Sequence, residues 1–215
     1  MQLISVNIGQ ERSIQQGKES GKTGIYKQPV SGPVQVTKLG LPGDAIVDTE
    51  NHGGVDQALY LYTTPDYEWW SVELGRELKP GTFGENLTVN EIESANISIG
   101  DRLHIGEVIL EVTSPRIPCV TLAARMEDLT FVKRFRHAER PGLYCRVIQE
   151  GTIQAGETVI YEPYTQPTIL AIEMFRNFYR PHKDEATLRR FLAAPIHYKD
   201  REEKEAQLQK LLSNS

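Results

Sequence analysis

From its first residues to about Tyr161 the chain is a succession of short β-prone or alternating runs, each cut off by Gly, Pro, Asn or Asp before it can lengthen. The runs are Gln2 to Ile8, Val34 to Lys38, Ala58 to Tyr62, Asn86 to Val89, Arg102 to Ile105, Glu107 to Thr113, Leu143 to Ile148 and Thr158 to Tyr161. Such punctuation predicts a mainly β fold, a barrel or a sandwich, rather than a parallel sheet. Two helices interrupt it. Thr64 reads as an N-cap before Pro65, Asp66 and Glu68, while Thr130 to Glu139 sets Phe131, Val132, Phe135 and Ala138 at helical spacing. Beyond the proline-rich joint Glu162-Pro163-Tyr164-Thr165-Gln166-Pro167 come three short helical patterns, Thr168 to Tyr179, Asp184 to Leu192 and Asp200 to Leu212. The expected division is a β domain over residues 1–163 and a small all-α three-helix domain over 164–215 that leans on it for stability.

A chain of 215 residues with 39% hydrophobic and 25% charged content is an ordinary globular composition. Its net charge of -5 argues against a nucleic acid polymer as partner. The opening Met1-Gln2-Leu3-Ile4-Ser5-Val6 has no basic leader pattern, and no stretch approaches the roughly 20 apolar residues that span a bilayer. The expectation is therefore a cytoplasmic protein with no membrane partner. With two cysteines, Cys119 and Cys145, and no C-x-x-C, there is no disulfide framework and no four-thiolate zinc or iron–sulfur motif.

The residues most suited to chemistry are in Ser114-Pro115-Arg116-Ile117-Pro118-Cys119. The two prolines stiffen the backbone around Arg116, and a guanidinium near a thiol favours the thiolate that binds a soft metal or attacks an electrophile. The bland alternative is that Cys119 is a small buried hydrophobe. Gly81-Thr82-Phe83-Gly84-Glu85-Asn86 offers two glycines and a mixed donor and acceptor set, suited to an oxyanion or a flat heterocycle, although a hairpin turn would also explain the glycines. His52-Gly53-Gly54-Val55-Asp56 sets an imidazole and a carboxylate four residues apart, able to orient a substrate or shuttle a proton. Pairing Cys119 with His52 as a hydrolase is possible on residue types but has no local signature.

Gly17-Lys18-Glu19-Ser20-Gly21-Lys22-Thr23 imitates a phosphate-binding P-loop, but Gln16 stands where the motif needs its first glycine, and Pro29 and Pro33 follow where a helix should start. Lys22 and Thr23 can still contact an anion. His104 reads as structural, and His182 and His197 fall in the helical tail, so the histidines form no zinc signature. Lys133, Arg134, Arg136 and Arg140 make a basic face, either solvated or a docking site for an acidic partner.

Thr23-Gly24-Ile25-Tyr26-Lys27-Gln28-Pro29-Val30, Leu41-Pro42-Gly43-Asp44, His52-Gly53-Gly54, Pro80 to Leu87, Ile99-Gly100-Asp101, Pro115 to Cys119 and Gly142 to Val147 together resemble the MOSC domain, named for the C-terminal domain of molybdenum-cofactor sulfurase. The run of helices after Pro163 resembles the three-helix tail of its YiiM-type bacterial members. The resemblance implies a closed β-barrel-like domain with a few helices that holds the molybdenum cofactor, molybdopterin. Cys119 matches the cysteine that binds molybdenum or carries sulfur, Thr82, Phe83, Gly84, Glu85 and Asn86 match the loop lining the cofactor cavity, and Arg116 matches the arginine before the thiol. Lys22, Thr23, His52 and Asp56 are assigned to the same cavity. Gln57 stands where many relatives carry a basic residue. The implied activity is an oxidoreductase that reduces small N-hydroxylated compounds such as hydroxylamino purines, a detoxification of N-hydroxylated bases. Lacking flavin and cluster motifs, it would need an external donor, a flavoprotein or other reductase. The rival readings are a non-redox sulfur carrier with a persulfide on Cys119, and an interaction domain with a vestigial pocket.

Overall fold

The computed structural model describes residues 1–16, 19–49 and 52–213. In chain order they form β1 (Leu3–Gly9), β2 (Arg12–Gln16), β3 (Glu19–Thr23), β4 (Lys27–Pro29), β5 (Val34–Val36), β6 (Leu59–Thr63), α1 (Thr64–Leu74), β7 (Leu87–Val89), β8 (Arg102–Ile105) and β9 (Val108–Pro115). There follow α2 (Val120–Arg125), α3 (Phe131–Ala138), β10 (Leu143–Gln149), β11 (Gly151–Ile153), β12 (Val159–Glu162), α4 (Ala171–Tyr179), α5 (Glu185–Ala193) and α6 (Tyr198–Ser213).

Eight strands make one sheet in the order β12-β8-β9-β10-β6-β7-β1-β4, and β11–β5 and β2–β3 form separate pairs. Within the large sheet β6 and β7 pair in parallel, because α1 and the loop after it carry the chain across between them. The sheet-rich, mainly β expectation with interspersed helices holds, but a closed barrel is not formed. The outer edge of β1 is divided: its C-terminal half pairs with β4, leaving only its start to meet the far end of the sheet. That meeting consists of the Gln2–Thr158 bridge with Leu3 N–H to Glu157 O (2.9 Å), Gly156 N–H to Leu3 O (2.7 Å) and Val159 N–H to Met1 O (2.9 Å), an isolated bridge and not a ladder.

Two apolar layers flank the sheet. Leu3, Leu59, Leu61, Leu87, Leu103, Leu110 and Val112 fill one, and Cys145 lies fully buried among them. The other is aromatic: Trp70 of α1 and Phe131 and Phe135 of α3 pack around Phe83, which stacks on Tyr62 at 4.4 Å. The helix cap falls one residue earlier than expected, on Thr63, whose hydroxyl accepts from Asp66 N–H, because Thr63 is the last extended residue of β6.

The helices beyond the joint do not pack on one another alone. Ile169, Ala171, Met174, Phe191, Ala194 and Ile196 belong to the same apolar layer as the strands. Asp101 ties down the joint: its carboxylate accepts from Ser98 N–H (2.7 Å), Tyr164 N–H (2.8 Å) and the Tyr161 hydroxyl. Further on, His197 N–H reaches Thr113 O (3.2 Å), and Arg146 donates to the Pro195 and Ile196 carbonyls. Replacing Asp101 by Ala leaves two part-buried N–H groups without their acceptor, so urea unfolding is expected to show a loss of about 1–3 kcal/mol, against a few tenths for an exposed aspartate such as Asp184 replaced by Asn.

Candidate functional site

Strand β9 ends at Pro115, and the stiff Arg116-Ile117-Pro118 segment delivers Cys119 to the residue just before α2, half-buried. Burial pushes its thiol up, but a hydrogen bond with His52, the Arg116 charge and the Leu122 N–H together carry it down to about 6. The Tyr144 hydroxyl faces His52 Nδ1 at 3.4 Å and so helps to fix the imidazole beside the sulfur. Cys145 is the contrast: fully enclosed and near Glu111, its thiol is pushed up to about 12.

Arg116 is only 4% exposed. One of its terminal nitrogens donates to the Phe83 carbonyl, and its guanidinium sits 4.9 Å from the centroid of the Tyr60 ring. No carboxylate pairs with it among the described residues, and its Nε has no hydrogen-bond partner. Burial works against its charge, but the Tyr60 and Tyr144 oxygens and the Cys119 sulfur more than offset that, so the group stays charged.

Arg116 and Cys119 both face a cavity of about 120 Å³, which Lys22, Lys27, His52 and Asn86 also border. Gly84 has a φ of +77°, and a Cβ there would meet Ile25 Cγ1 at 2.7 Å, so the wall closes only around glycine. A buried pair holds the floor. Lys27 Nζ lies 2.5 Å from Asp44, whose carboxylate also accepts from Gly9 N–H (2.7 Å) and Asn86 Nδ2 (2.8 Å). Burial lowers the Lys27 ammonium from its ordinary value, and Asp44 opposes that shift.

The structure brings Lys22, Thr23, His52, Gly84, Asn86, Arg116 and Cys119 to this one cavity. Lys22 is paired with Glu11 on the exposed rim (2.6 Å), and the Thr23 hydroxyl accepts from Ile25 N–H. Gly17 and Lys18 of the P-loop-like stretch lie outside the described residues. Thr82, Phe83 and Glu85 do not border the cavity: Thr82 bonds Lys79 O, and Phe83 belongs to the aromatic layer. Glu85 turns inward, where Oε1 accepts from the Tyr67 hydroxyl, Gly81 N–H and Thr88 Oγ1, and burial raises its carboxyl. These three shape the loop instead of touching a ligand. Asp56 also departs from expectation. The turn at Val55–Gln57 points it away from His52, toward Arg146 (3.1 Å) and Tyr198 N–H (2.8 Å), where it fastens the helical tail. Sequence reasoning gave no role to Lys27, Asp44, Tyr60 or Tyr144, although each falls in or beside a stretch singled out there. Much of the basic face is spent internally, Arg134 on Glu73 and Asp128, and Arg140 on Asp66 and Glu93, leaving Lys133 exposed.

Comparison with known proteins agrees with this arrangement. The MOSC domain family model matches residues 48–160. YflK of Bacillus subtilis is 34% identical over 154 residues, covering 72% of this chain and 70% of that protein. A Gibberella moniliformis protein named Reductase is 32% identical over 179 residues, 80% of this chain but 31% of its own length. The crystal structure of YiiM from Geobacillus stearothermophilus superimposes with a TM-score of 0.79 at 25% identity, covering 96% of this chain and 98% of that one.

The site makes a direct statement about sulfur reactivity. Alkylation by iodoacetamide should label Cys119 with a midpoint near pH 6 and leave Cys145 untouched in the folded protein. Removing the His52 hydrogen bond with His52→Ala should move the midpoint up by roughly 1–2 units, read from the rate–pH profile by mass spectrometry. A profile centred at the ordinary thiol value in the unaltered protein would contradict the geometry.

Proposed function

This chain belongs to the MOSC domain family, and on that premise we propose that it is a molybdenum-cofactor-dependent reductase of small N-hydroxylated compounds, supplied with electrons by an external flavoprotein or other reductase. The observation that carries the reading is a cavity that brings a buried guanidinium and a single acidified thiol together. Arg116 is a buried cation with an unpartnered Nε and no carboxylate, which suits an anionic ligand such as a phosphate-bearing pterin. Lys22 at the rim and Lys27 on the floor add N–H donors to the same space, each already paired with a carboxylate, Glu11 and Asp44, so the charge left over is that of Arg116. Among the described residues no cluster of three or more His, Cys, Asp or Glu could hold a metal ion, so a metal here must arrive with its own ligands and accept one more. A thiolate fits that vacancy for a soft metal–sulfur centre.

When bound, the molybdenum–pterin group would supply the electron pair that reduces an N–O bond, so that R–NHOH, two electrons and two protons give R–NH2 and water. The chain's own residues bind and manage protons. Cys119 would ligate through its sulfur, Arg116 would meet the group's negative charge, and His52, set between the Tyr144 hydroxyl and the sulfur, is placed to pass a proton between them. Asn86 and Asp44 keep Lys27 in place. The flavin and cluster motifs absent from the sequence leave electron entry to a partner.

The test is to purify the protein from a host that makes molybdopterin and to assay hydroxylamine reduction with an artificial donor. Turnover and bound molybdenum are expected in the unaltered protein, with turnover falling at least about a hundredfold in Cys119→Ser. Protein without molybdenum that instead releases sulfur to cyanide, in a Cys119-dependent way, would replace this reading with the persulfide carrier.

A further inference from the structure

Away from the cavity that holds Arg116, a groove of about 530 Å³ is bordered by α3, α4 and α5, and the two have no lining residue in common. Four guanidiniums border it, those of Arg136, Arg176, Arg180 and Arg190, against two carboxylates, Glu139 and Glu173. The carboxylates are already committed. Glu139 accepts a two-pronged bond from Arg176, with Nε at 2.8 Å, and Glu173 lies 3.2 Å from Arg190. Arg136 and Arg180 have no carboxylate partner among the described residues, so positive charge gathers in this groove of a chain whose net charge is -5. Arg136 is half-buried and set over the Tyr179 ring, 4.2 Å from its centroid, while Arg180 is exposed just past the end of α4.

Asn177 supplies an independent sign of a ligand. It is 7% exposed and borders the groove, yet its side-chain amide makes no hydrogen bond among the described residues. Enclosing an amide is costly unless it finds a partner, and asparagine is a poor helix former. Within α4 an apolar side chain at this position would serve both packing and helix better. The Tyr179 hydroxyl, in the same wall, is also shut off from solvent without a hydrogen-bond partner. Two unpaired guanidiniums thus stand above an amide whose donors and acceptor are both unmet.

We propose that this groove binds a small phosphate monoester, with the phosphate held by Arg136 and Arg180 and a polar group on the organic part hydrogen-bonded by Asn177. Guanidiniums from two separate elements suit a dianion with several acceptor oxygens, which a phosphate monoester is near neutral pH. The volume falls within the range of small-molecule sites. A flat acidic protein surface would reach the exposed Arg180 but not the enclosed Asn177, so the amide favours a ligand that enters the groove. The arginine-paired Glu139 and Glu173 repel a second anionic group, which leaves the rest of the ligand neutral. This site goes beyond the reductase reading and does not depend on it.

Isothermal titration calorimetry of the full chain in phosphate-free buffer tests the site, with glucose 6-phosphate, inorganic phosphate and glucose as probes. Glucose 6-phosphate is expected to bind, inorganic phosphate to bind more weakly and glucose not at all. Arg136→Gln and Arg180→Gln should each weaken glucose 6-phosphate binding about tenfold, the loss of a charge-assisted hydrogen bond. Asn177→Leu should bring glucose 6-phosphate down to the affinity of inorganic phosphate and leave the latter unchanged. Should melting curves show that Arg136→Gln or Asn177→Leu has not folded, Arg180→Gln decides, because that side chain is exposed. No binding to the unaltered protein overturns the proposal. Binding that survives Arg180→Gln places the ester elsewhere, in the Arg116 cavity, and overturns it as well. Free phosphate binding as tightly as the ester removes the role given to Asn177, and binding of poly-glutamate alone makes the groove a protein docking face; either result replaces the proposal.

Discussion

The placement of one buried guanidinium organises the functional half of this protein. Arg116 leaves the end of β9, donates to the Phe83 carbonyl in the Gly81–Asn86 loop and lies against the Tyr60 ring of β6, so three segments distant in sequence are registered on one charge. A neutral side chain of the same size would leave the carbonyl unmet. It would also remove a principal reason why the nearby thiol ionises well below its ordinary value of 9.0. The aromatic layer bounds this arrangement: the Tyr60 ring, packed with Tyr62, Phe83 and Trp70, lies against the charge on one side, and the cavity opens on another.

Where function is concerned, the tail and the sheet are one object. Asp101 clamps the joint, Asp56 and Arg146 clamp the turn before α6, and the apolar residues of α4 and α5 share a layer with the strands. Those clamps hold the start of α6 against the strands that lead to Cys119, so the tail is fastened to the sheet at several points. This also explains the fate of Asp56. A carboxylate four residues from His52 is close in sequence, but the short turn between them sends it to the opposite wall, where an arginine and a helix start claim it.

What could be read from the sequence follows from how local each signal is. Strand β8 alternates clearly, β9 opens on the apolar run Val108-Ile109-Leu110, and Phe131 and Phe135 mark α3 without help from the rest of the chain. The β2–β3 hairpin is nearly all polar, with Ile14 and Thr23 buried among its described side chains, and so gives no period to find. Helix α2 is too short for one and begins directly after a proline-stiffened segment that reads as coil. That Cys119, Arg116, His52 and Asn86 share one cavity was legible because motifs surround them. Lys27 and Asp44 were not, since a buried ion pair between residues 17 positions apart is a property of the fold. Glu85 shows the limit from the other side. Its position in the loop is right, but which way a carboxylate turns depends on Tyr67 and Thr88, which no spacing rule connects to it.

The depressed thiol links chemistry to folding. Because the native value of about 6 lies below the ordinary 9.0, the thiolate's stabilising contribution is complete above pH 9.0 and fades as pH falls toward 6. At neutral pH most of the sulfur is ionised, and the thiolate is itself a counter-charge for the buried arginine, which has no carboxylate partner among the described residues. Thiol and guanidinium are therefore one coupled pair: whatever takes the sulfur as a ligand also takes negative charge away from Arg116, and an anion seated in the cavity would replace it.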